Sequence, residues 1–264
     1  MRTSYHNHTT WSDGESTLAE MIESARRSGI EELGISDHYV LAPENRRFDW
    51  AIAPESLDAY VAEVQNSIAA TKDLTVRLGL EVDYIPETIE LVKKQLAPYP
   101  FDYLITSVHF VGDFPIDLEL KSWETLSQDS RNRIWRSYWQ ILRAAAESGY
   151  FDIIGHFDLP KKYGYYPSVD LTKEALSVLD AMAAADMAIE INCSGWDKPV
   201  KEAYPSLFYL QEAHRRNIPM VINSDAHTSS HITRNFDRGR RLAAEAGYTE
   251  LVRFESRKRF PYPL

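Results

Sequence analysis

The sequence predicts an α/β protein, with seven strand–helix units, or eight, closing into one barrel around a parallel sheet. Three observations predict it. Strand and helix patterns alternate from end to end, as expected for a parallel sheet covered by helices. No low-complexity segment, internal repeat or Gly/Ser-rich linker interrupts the 264 residues, so 1–264 reads as a single domain. Strand-like segments also end repeatedly on His, Asp, Glu or Asn. In a closed β/α barrel the active-site groups stand at the C-terminal strand ends.

The first strand covers 2–8. Glu15-Ser16-Thr17 opens a helix with Leu18, Met21, Ile22 and Ala25 at helical spacing, and Gly29 stops it. The second strand, 32–36, exits on Asp37-His38. Pro54 and Ser56 precede a helix with Leu57, Tyr60, Val61, Val64 and Ile68 on one face. The third strand, 75–82, ends near Glu81, and a short helix follows over 87–96. The fourth, 103–108, ends on His109. The stretch 110–120 carries Gly112-Asp113 and Pro115 and reads as a small hairpin. The longest helix spans 123–148, and its stripe of Ile134, Trp135, Tyr138, Ile141, Leu142 and Ala145 reads as core. The fifth strand, 152–155, ends on His156, and a helix covers 171–185. The sixth, 187–191, ends on Asn192, with a helix over 206–217. The seventh, 219–223, ends on Ser224-Asp225-Ala226-His227, and the last clear helix is 236–247. Residues 251–254 read either as an eighth strand or as a tail packed across the barrel bottom.

Composition excludes several function classes. The formal net charge is −10, whereas nucleic-acid binding usually needs a basic patch. The single cysteine, Cys193, permits no intramolecular disulfide, so a reducing compartment is the default. No apolar run approaches the roughly 20 residues that span a bilayer. A cleaved signal peptide would remove His6 and His8. The expectation is a cytoplasmic protein without membrane contact, and the sequence leaves its oligomeric state open.

The chemistry gathers around the first turn, His6-Asn7-His8 followed by Ser12-Asp13-Gly14. Side chains alternate along a strand, so His6 and His8 share a face. Six of the eight histidines stand at strand ends: His6, His8, His38, His109, His156 and His227. His231 lies just beyond, and only His214 falls inside a predicted helix. A lone strand-end histidine is ordinarily a hydrogen-bonded structural residue. Six of them, joined by Asp13, Glu81 and Asp225, exceed what one ion needs. Mixed imidazole and carboxylate donors suit zinc, manganese or iron better than calcium. Two to three divalent ions are expected, with a carboxylate such as Glu81 bridging two. Asp37, Asp158 and Asn192 are expected to orient ligands rather than bind metal. Lys161, Lys162 and Lys198 read as solvated loop charges or, beside a polymetal site, as holders of a phosphate. Cys193 reads as a packing residue.

With these residues assembled, nearly the whole chain resembles the PHP family of metal-dependent phosphoesterases (polymerase and histidinol phosphatase). The motifs that carry the resemblance are His6-x-His8 with Ser12-Asp13-Gly14, Ser36-Asp37-His38, Gly79-Leu80-Glu81-Val82-Asp83, Ser107-Val108-His109-Phe110, Gly155-His156-Phe157-Asp158 and Ser224-Asp225-Ala226-His227. The resemblance implies a distorted (β/α)7 TIM-like barrel with its metal site at the C-terminal ends of the strands. It implies a first metal on His6, His8, Glu81 and Asp225, a second on Glu81, His109 and His156, and a third on Asp13, His38 and His227. Asp13 and the stretches Glu190-Ile191-Asn192, Lys198-Pro199 and Tyr204-Pro205-Ser206 look most like the histidinol-phosphatase branch. That branch is expected to carry a basic residue just before Lys198, where this chain has Asp197.

The implied activity is hydrolysis of L-histidinol phosphate to L-histidinol and phosphate, in histidine biosynthesis. The implied attack is by a hydroxide bridging two metals, whose pKa the metals lower. Glu81 would act as the bridge, and Asp225 or His227 as proton carrier to the leaving alkoxide. The expected partner is a small phosphorylated substrate, and Lys161, Tyr163, Trp196 and Lys198 in the loops are its suggested contacts. One alternative is a phosphatase or phosphodiesterase acting on another small ester or a nucleotide. Another is a catalytically inactive metal-binding module, although all nine ligands are present. A structural zinc domain would favour closed, cysteine-rich sites.

Overall fold

The computed structural model describes residues 2–264. Seven strands line up in chain order: β1 (Thr3–Ser4), β2 (Glu32–Ile35), β3 (Thr75–Asp83), β4 (Tyr103–Ser107), β5 (Ile153–Ile154), β6 (Ala188–Asn192) and β7 (Met220–Asn223). Each neighbouring pair is parallel. The ring closes past the strand ends. A parallel bridge joins Asn7 to Ala226, and the His8 amide donates to the Ala226 carbonyl at 2.8 Å. The β2 path breaks at Ser36-Asp37 and resumes as His38–Tyr39, pairing His38 with Glu81. That break aims the His38 ring at the barrel axis.

The helices α1 (Leu18–Arg27), α2 (Leu57–Ala70), α3 (Ile89–Leu96), α4 (Leu120–Glu124), α5 (Gln128–Glu147), α6 (Thr172–Ala184), α7 (Leu207–Arg215) and α8 (Phe236–Glu245) form the outer layer. The α1 helix starts at Leu18 because Thr17 and Glu20 form a reciprocal capping box. The long helix expected over 123–148 is two helices. The side chain of Ser127 accepts from the Ser130 amide and opens α5 anew. The expected stripe is core: Ile134, Trp135, Tyr138, Leu142 and Ala145 are buried, and Ile141 is partly buried. The expected hairpin after β4 pairs Phe110–Val111 with Phe114–Pro115.

The chain ends in an antiparallel hairpin, β8 (Glu250–Glu255) and β9 (Lys258–Pro263), outside the barrel sheet. Of the two readings of 251–254, the tail across the bottom is the observed one. Val252 and Phe254 enter the barrel and pack with Tyr5, Tyr103, Ile105, Ile153, Ala188 and Val221. Tyr103 lies across β2 and β3 because a Cβ at Gly34 or Gly79 would run into its ring. The bottom of the barrel is therefore filled. Among the described residues, no helix is long and apolar enough to cross a membrane.

Candidate metal centre

All nine expected ligands converge at the C-terminal mouth. Glu81 is the hub, buried to 1 % exposure. Its Oε2 lies 3.1 Å from His6 Nε2, 3.6 Å from His8 Nε2 and 2.8 Å from His38 Nδ1. Its Oε1 lies 2.9 Å from His156 Nε2 and 3.8 Å from His109 Nε2. Asp225 Oδ1 stands 3.4 Å from His8 Nε2 and 3.5 Å from His227 Nδ1. Asp13 reaches His38 at 3.6 Å and His227 at 3.3 Å. His6 and His8 both face Glu81, as strand alternation requires. Two of the nine sit on left-handed backbone, Asp225 at φ 52° and His156 at φ 22°. Non-glycine residues take up that conformation at a cost, and the strand-end turns use it to bring these side chains inward.

The donors fit metal ions better than one another. His6 Nε2, both His8 ring nitrogens, His38 Nδ1 and Glu81 Oε2 are buried without hydrogen-bond partners. Buried polar atoms left unsatisfied are expensive, and a cluster of nitrogen and carboxylate lone pairs aimed at common points is the donor set of a divalent ion. Three groups place their ligand atoms within 4.8 Å of one another: His8, Asp13, His38 and His227; His6, His8 and Glu81; and His38, Glu81 and His109. The electrostatics agree. Burial works against a charge on Glu81, yet the surrounding His6 and His38 rings hold its carboxyl well below the usual range. Asp225 behaves likewise, with His6, His8 and His227 outweighing burial.

A ring of acceptors around the ligands sets their orientation. Glu190 accepts from His6 Nδ1 at 2.8 Å and from the His156 amide at 2.8 Å, which leaves His6 Nε2 free to ligate. Asp83 does the same for His109, accepting from its Nδ1 and its amide, each at 2.9 Å. Asp37 accepts from the Thr9 amide at 2.7 Å, the Thr9 hydroxyl at 2.9 Å and the Ser12 hydroxyl at 2.6 Å, fixing the loop between His8 and Asp13. Asn192 donates to Asp225 Oδ2 at 3.1 Å. Asp37 and Asn192 take the supporting role expected of them. Asp158 does not contact the ligands; it pairs with Lys161 at 3.0 Å. Glu190 and Asp83 stand in stretches that carry the family resemblance, but the sequence assigned neither a role.

Above the ligands opens a cavity of about 450 Å³. Asp13, His38, Glu81, His109, His156, Asp225 and His227 form its floor, with His6 and His8 buried beneath. Lys162, Lys198 and Arg234 stand on one wall.

The family model described as PHP domain matches residues 4–194. The chain belongs to the PHP domain family. A Deinococcus radiodurans relative, "Probable histidinol-phosphatase", is 37% identical over 93% of this chain and 93% of its own length. The Bacillus subtilis "Histidinol-phosphatase" is 28% identical, over 86% of this chain and 94% of that one. The fold of this PHP chain matches the crystal structure of a histidinol phosphate phosphatase from Lactococcus lactis, complexed with zinc, L-histidinol and phosphate. That match has a TM-score of 0.81 and 22% identity, and covers 98% of both chains.

The four expected substrate contacts of the PHP site divide. Lys198 lines the cavity. Lys161 is buried away from it, between Glu202 at 2.6 Å and Asp158 at 3.0 Å. Tyr163 does not line the cavity either; its hydroxyl donates to the Asp117 carbonyl at 2.7 Å. Trp196 lies outside it under the Arg238 guanidinium, 4.4 Å from the ring centroid. Lys162 holds the place expected of Lys161. It reaches into the cavity while Asp117 accepts from its Nζ through the carbonyl at 2.6 Å and the carboxylate at 3.1 Å. Arg234 carried no motif in the sequence. It donates to the Ser224 carbonyl at 3.0 Å and to the Asp225 carbonyl at 2.5 Å, fixing the turn that presents Asp225. His214 packs on Tyr248, outside the site.

Proposed function

We propose that this chain hydrolyses L-histidinol phosphate to L-histidinol and phosphate, with two to three divalent metal ions held by His6, His8, Asp13, His38, Glu81, His109, His156, Asp225 and His227. The observation that carries the reading is the pairing of partnerless buried donors on the cavity floor with a cationic wall above them. The name of the Deinococcus radiodurans relative, at 37% identity, supports the substrate. Bound ions supply a water activated near neutral pH and neutralise charge on the phosphoryl oxygens.

The chain's own residues do the rest. Glu190 and Asp83 fix the tautomers of His6 and His109, so the correct ring nitrogen faces the cluster. Lys198 has no ion-pair partner among the described residues, and burial, then Lys162 and Arg234, lower its pKa. A dianionic phosphate set between Lys198 and Lys162 relieves that crowding. Asp117 keeps Lys162 charged: burial opposes the charge, but the carboxylate outweighs it and the pKa rises. Of the two candidate proton carriers on the cavity floor, Asp225 and His227, the raised pKa of His227 favours His227 as the donor to the leaving alkoxide. The single thiol is buried, which suits a cytoplasmic enzyme.

One observation favours a second reading, a different small phosphomonoester. Asp197 stands where a basic residue is expected. It is half exposed, accepts from Asn235 at 3.2 Å and lies 3.9 Å from Arg234. Phosphate release from L-histidinol phosphate, measured against a panel of monoesters and one diester in manganese- and zinc-loaded protein, decides between the two. The first reading predicts a strong preference for histidinol phosphate. A better substrate elsewhere in the panel overturns it.

A further inference from the structure

The cavity lining is of two kinds. Besides Lys162, Lys198 and Arg234 it includes Trp50, Phe110 and Leu118. Trp50 comes from the segment between β2 and α2, and Phe110 from the hairpin after β4. Their rings are 6.1 Å apart and within 25° of parallel. Trp50 also meets the His38 ring edge-on at 5.0 Å and lies 5.9 Å from the His109 ring, so this aromatic surface borders the ligand cluster directly. Neither ring is buried, and Leu118 is 68% exposed.

The surface is braced from behind. Phe48 packs on Trp50 at 5.3 Å and on Phe110 at 5.1 Å. The Arg46 guanidinium covers Phe48 and Phe110, at 5.0 and 5.7 Å, and pairs with Asp113 of the hairpin at 3.2 Å. The two segments are thereby tied together, with both rings partly exposed in the cavity lining. Flat apolar surface held at the mouth of a polar site is suited to a flat partner.

Reaction geometry says which part of a substrate meets it. The phosphoryl group belongs to the floor and the cationic wall. In-line displacement puts the leaving oxygen on the side away from the attacking water. The alcohol half then projects from the floor toward the mouth, beside Trp50.

We propose that Trp50, backed by Phe110, is the specificity-determining residue, stacking on a planar ring in the alcohol half of the phosphomonoester. The site thereby prefers esters whose alcohol bears a heteroaromatic ring to aliphatic esters of similar reactivity. An imidazole suits the ledge in both states, by stacking when neutral and by cation–π attraction when protonated. This inference rests on the phosphomonoesterase reading above.

The test compares wild type, Trp50→Ala and Trp50→Phe in manganese-loaded protein, on L-histidinol phosphate, benzyl phosphate and ethyl phosphate. The readout is the ratio of kcat/KM for each ring-bearing ester to that for ethyl phosphate. General damage to the metal cluster lowers all three esters together and cancels in the ratio. Trp50→Ala is expected to lower the ratio about tenfold, mainly through KM, and Trp50→Phe to restore most of it. A ratio unchanged in Trp50→Ala overturns the proposal. If benzyl phosphate loses its advantage but wild type ignores histidinol phosphate, the ledge stands and the histidinol reading falls. If histidinol phosphate is the preferred substrate and the ratios do not move, the ledge falls and the histidinol reading stands.

Discussion

The two ends of the barrel bury polar groups in opposite ways. At the bottom, donors meet acceptors. The Tyr5 hydroxyl donates to Glu32 and accepts from the Phe254 amide at 3.0 Å. Glu32 is flanked by Arg77 at 3.3 Å and Arg253 at 3.7 Å, and Asp102 accepts from the Leu78 and Ser256 amides at 3.0 and 2.9 Å. At the mouth, His6 Nε2 and His8 Nε2 converge on Glu81 Oε2 within 3.6 Å, and none of the three has a hydrogen-bond partner. Complementary pairing at the bottom serves the fold. Unsatisfied convergence at the mouth fits a ligand, and bound ions would complete it. Stability and activity should therefore separate along the barrel axis.

The largest effect expected is at Glu81. Glu81→Gln removes the carboxylate shared by two of the three ligand groups and should cut kcat/KM for the preferred phosphomonoester by about 1,000-fold or more. Circular dichroism should show the fold retained. An active Glu81→Gln protein would break the distinction between the ends.

The converse variant is Phe254→Ala. It empties part of the bottom core and should cost about 3–5 kcal/mol of stability in denaturant titration. Turnover should stay within about twofold where the protein is still folded. A loss of turnover without a loss of stability would show that the bottom, too, serves the chemistry.

A smaller effect sharpens the comparison at the mouth. Glu190→Gln keeps the shape of the side chain but weakens its hold on His6 and the His156 amide. Metal affinity measured by competition with a chromophoric chelator should fall about 10–100-fold. Unchanged affinity would make Glu190 a packing group.

The mouth was more legible in the sequence than the bottom. Its ligands follow a rule that needs no tertiary information, since chemistry collects at strand ends and alternation sets which side chains share a face. Every one of the nine reached the cluster. The break between α4 and α5 was harder to read, because a serine cap inside a continuous helical pattern does not announce itself. The terminal hairpin was ambiguous for a related reason: Leu251, Val252 and Phe254 mark apolar strand but not its partner. Its turn depends on Ser256 and Arg257 at φ 50° and 63°, residues that rarely signal that conformation. Lys161 and Lys162 show the limit most directly. They are adjacent and identical, yet one is locked between Asp158 and Glu202 and the other lines the cavity, because the short turn over Leu159–Tyr163 sends them opposite ways. Glu190 went unassigned because a strand carboxylate facing two histidines from other strands is visible only in three dimensions.

Metal stoichiometry tests the central claim most directly. The protein would be stripped with chelator, reloaded with manganese, zinc or iron(II), and assayed for bound metal, phosphate release and circular dichroism on the same samples. The account predicts two to three equivalents per chain at full activity, and loss of turnover with the barrel's secondary structure retained after stripping. Full turnover in protein holding less than one equivalent would contradict it.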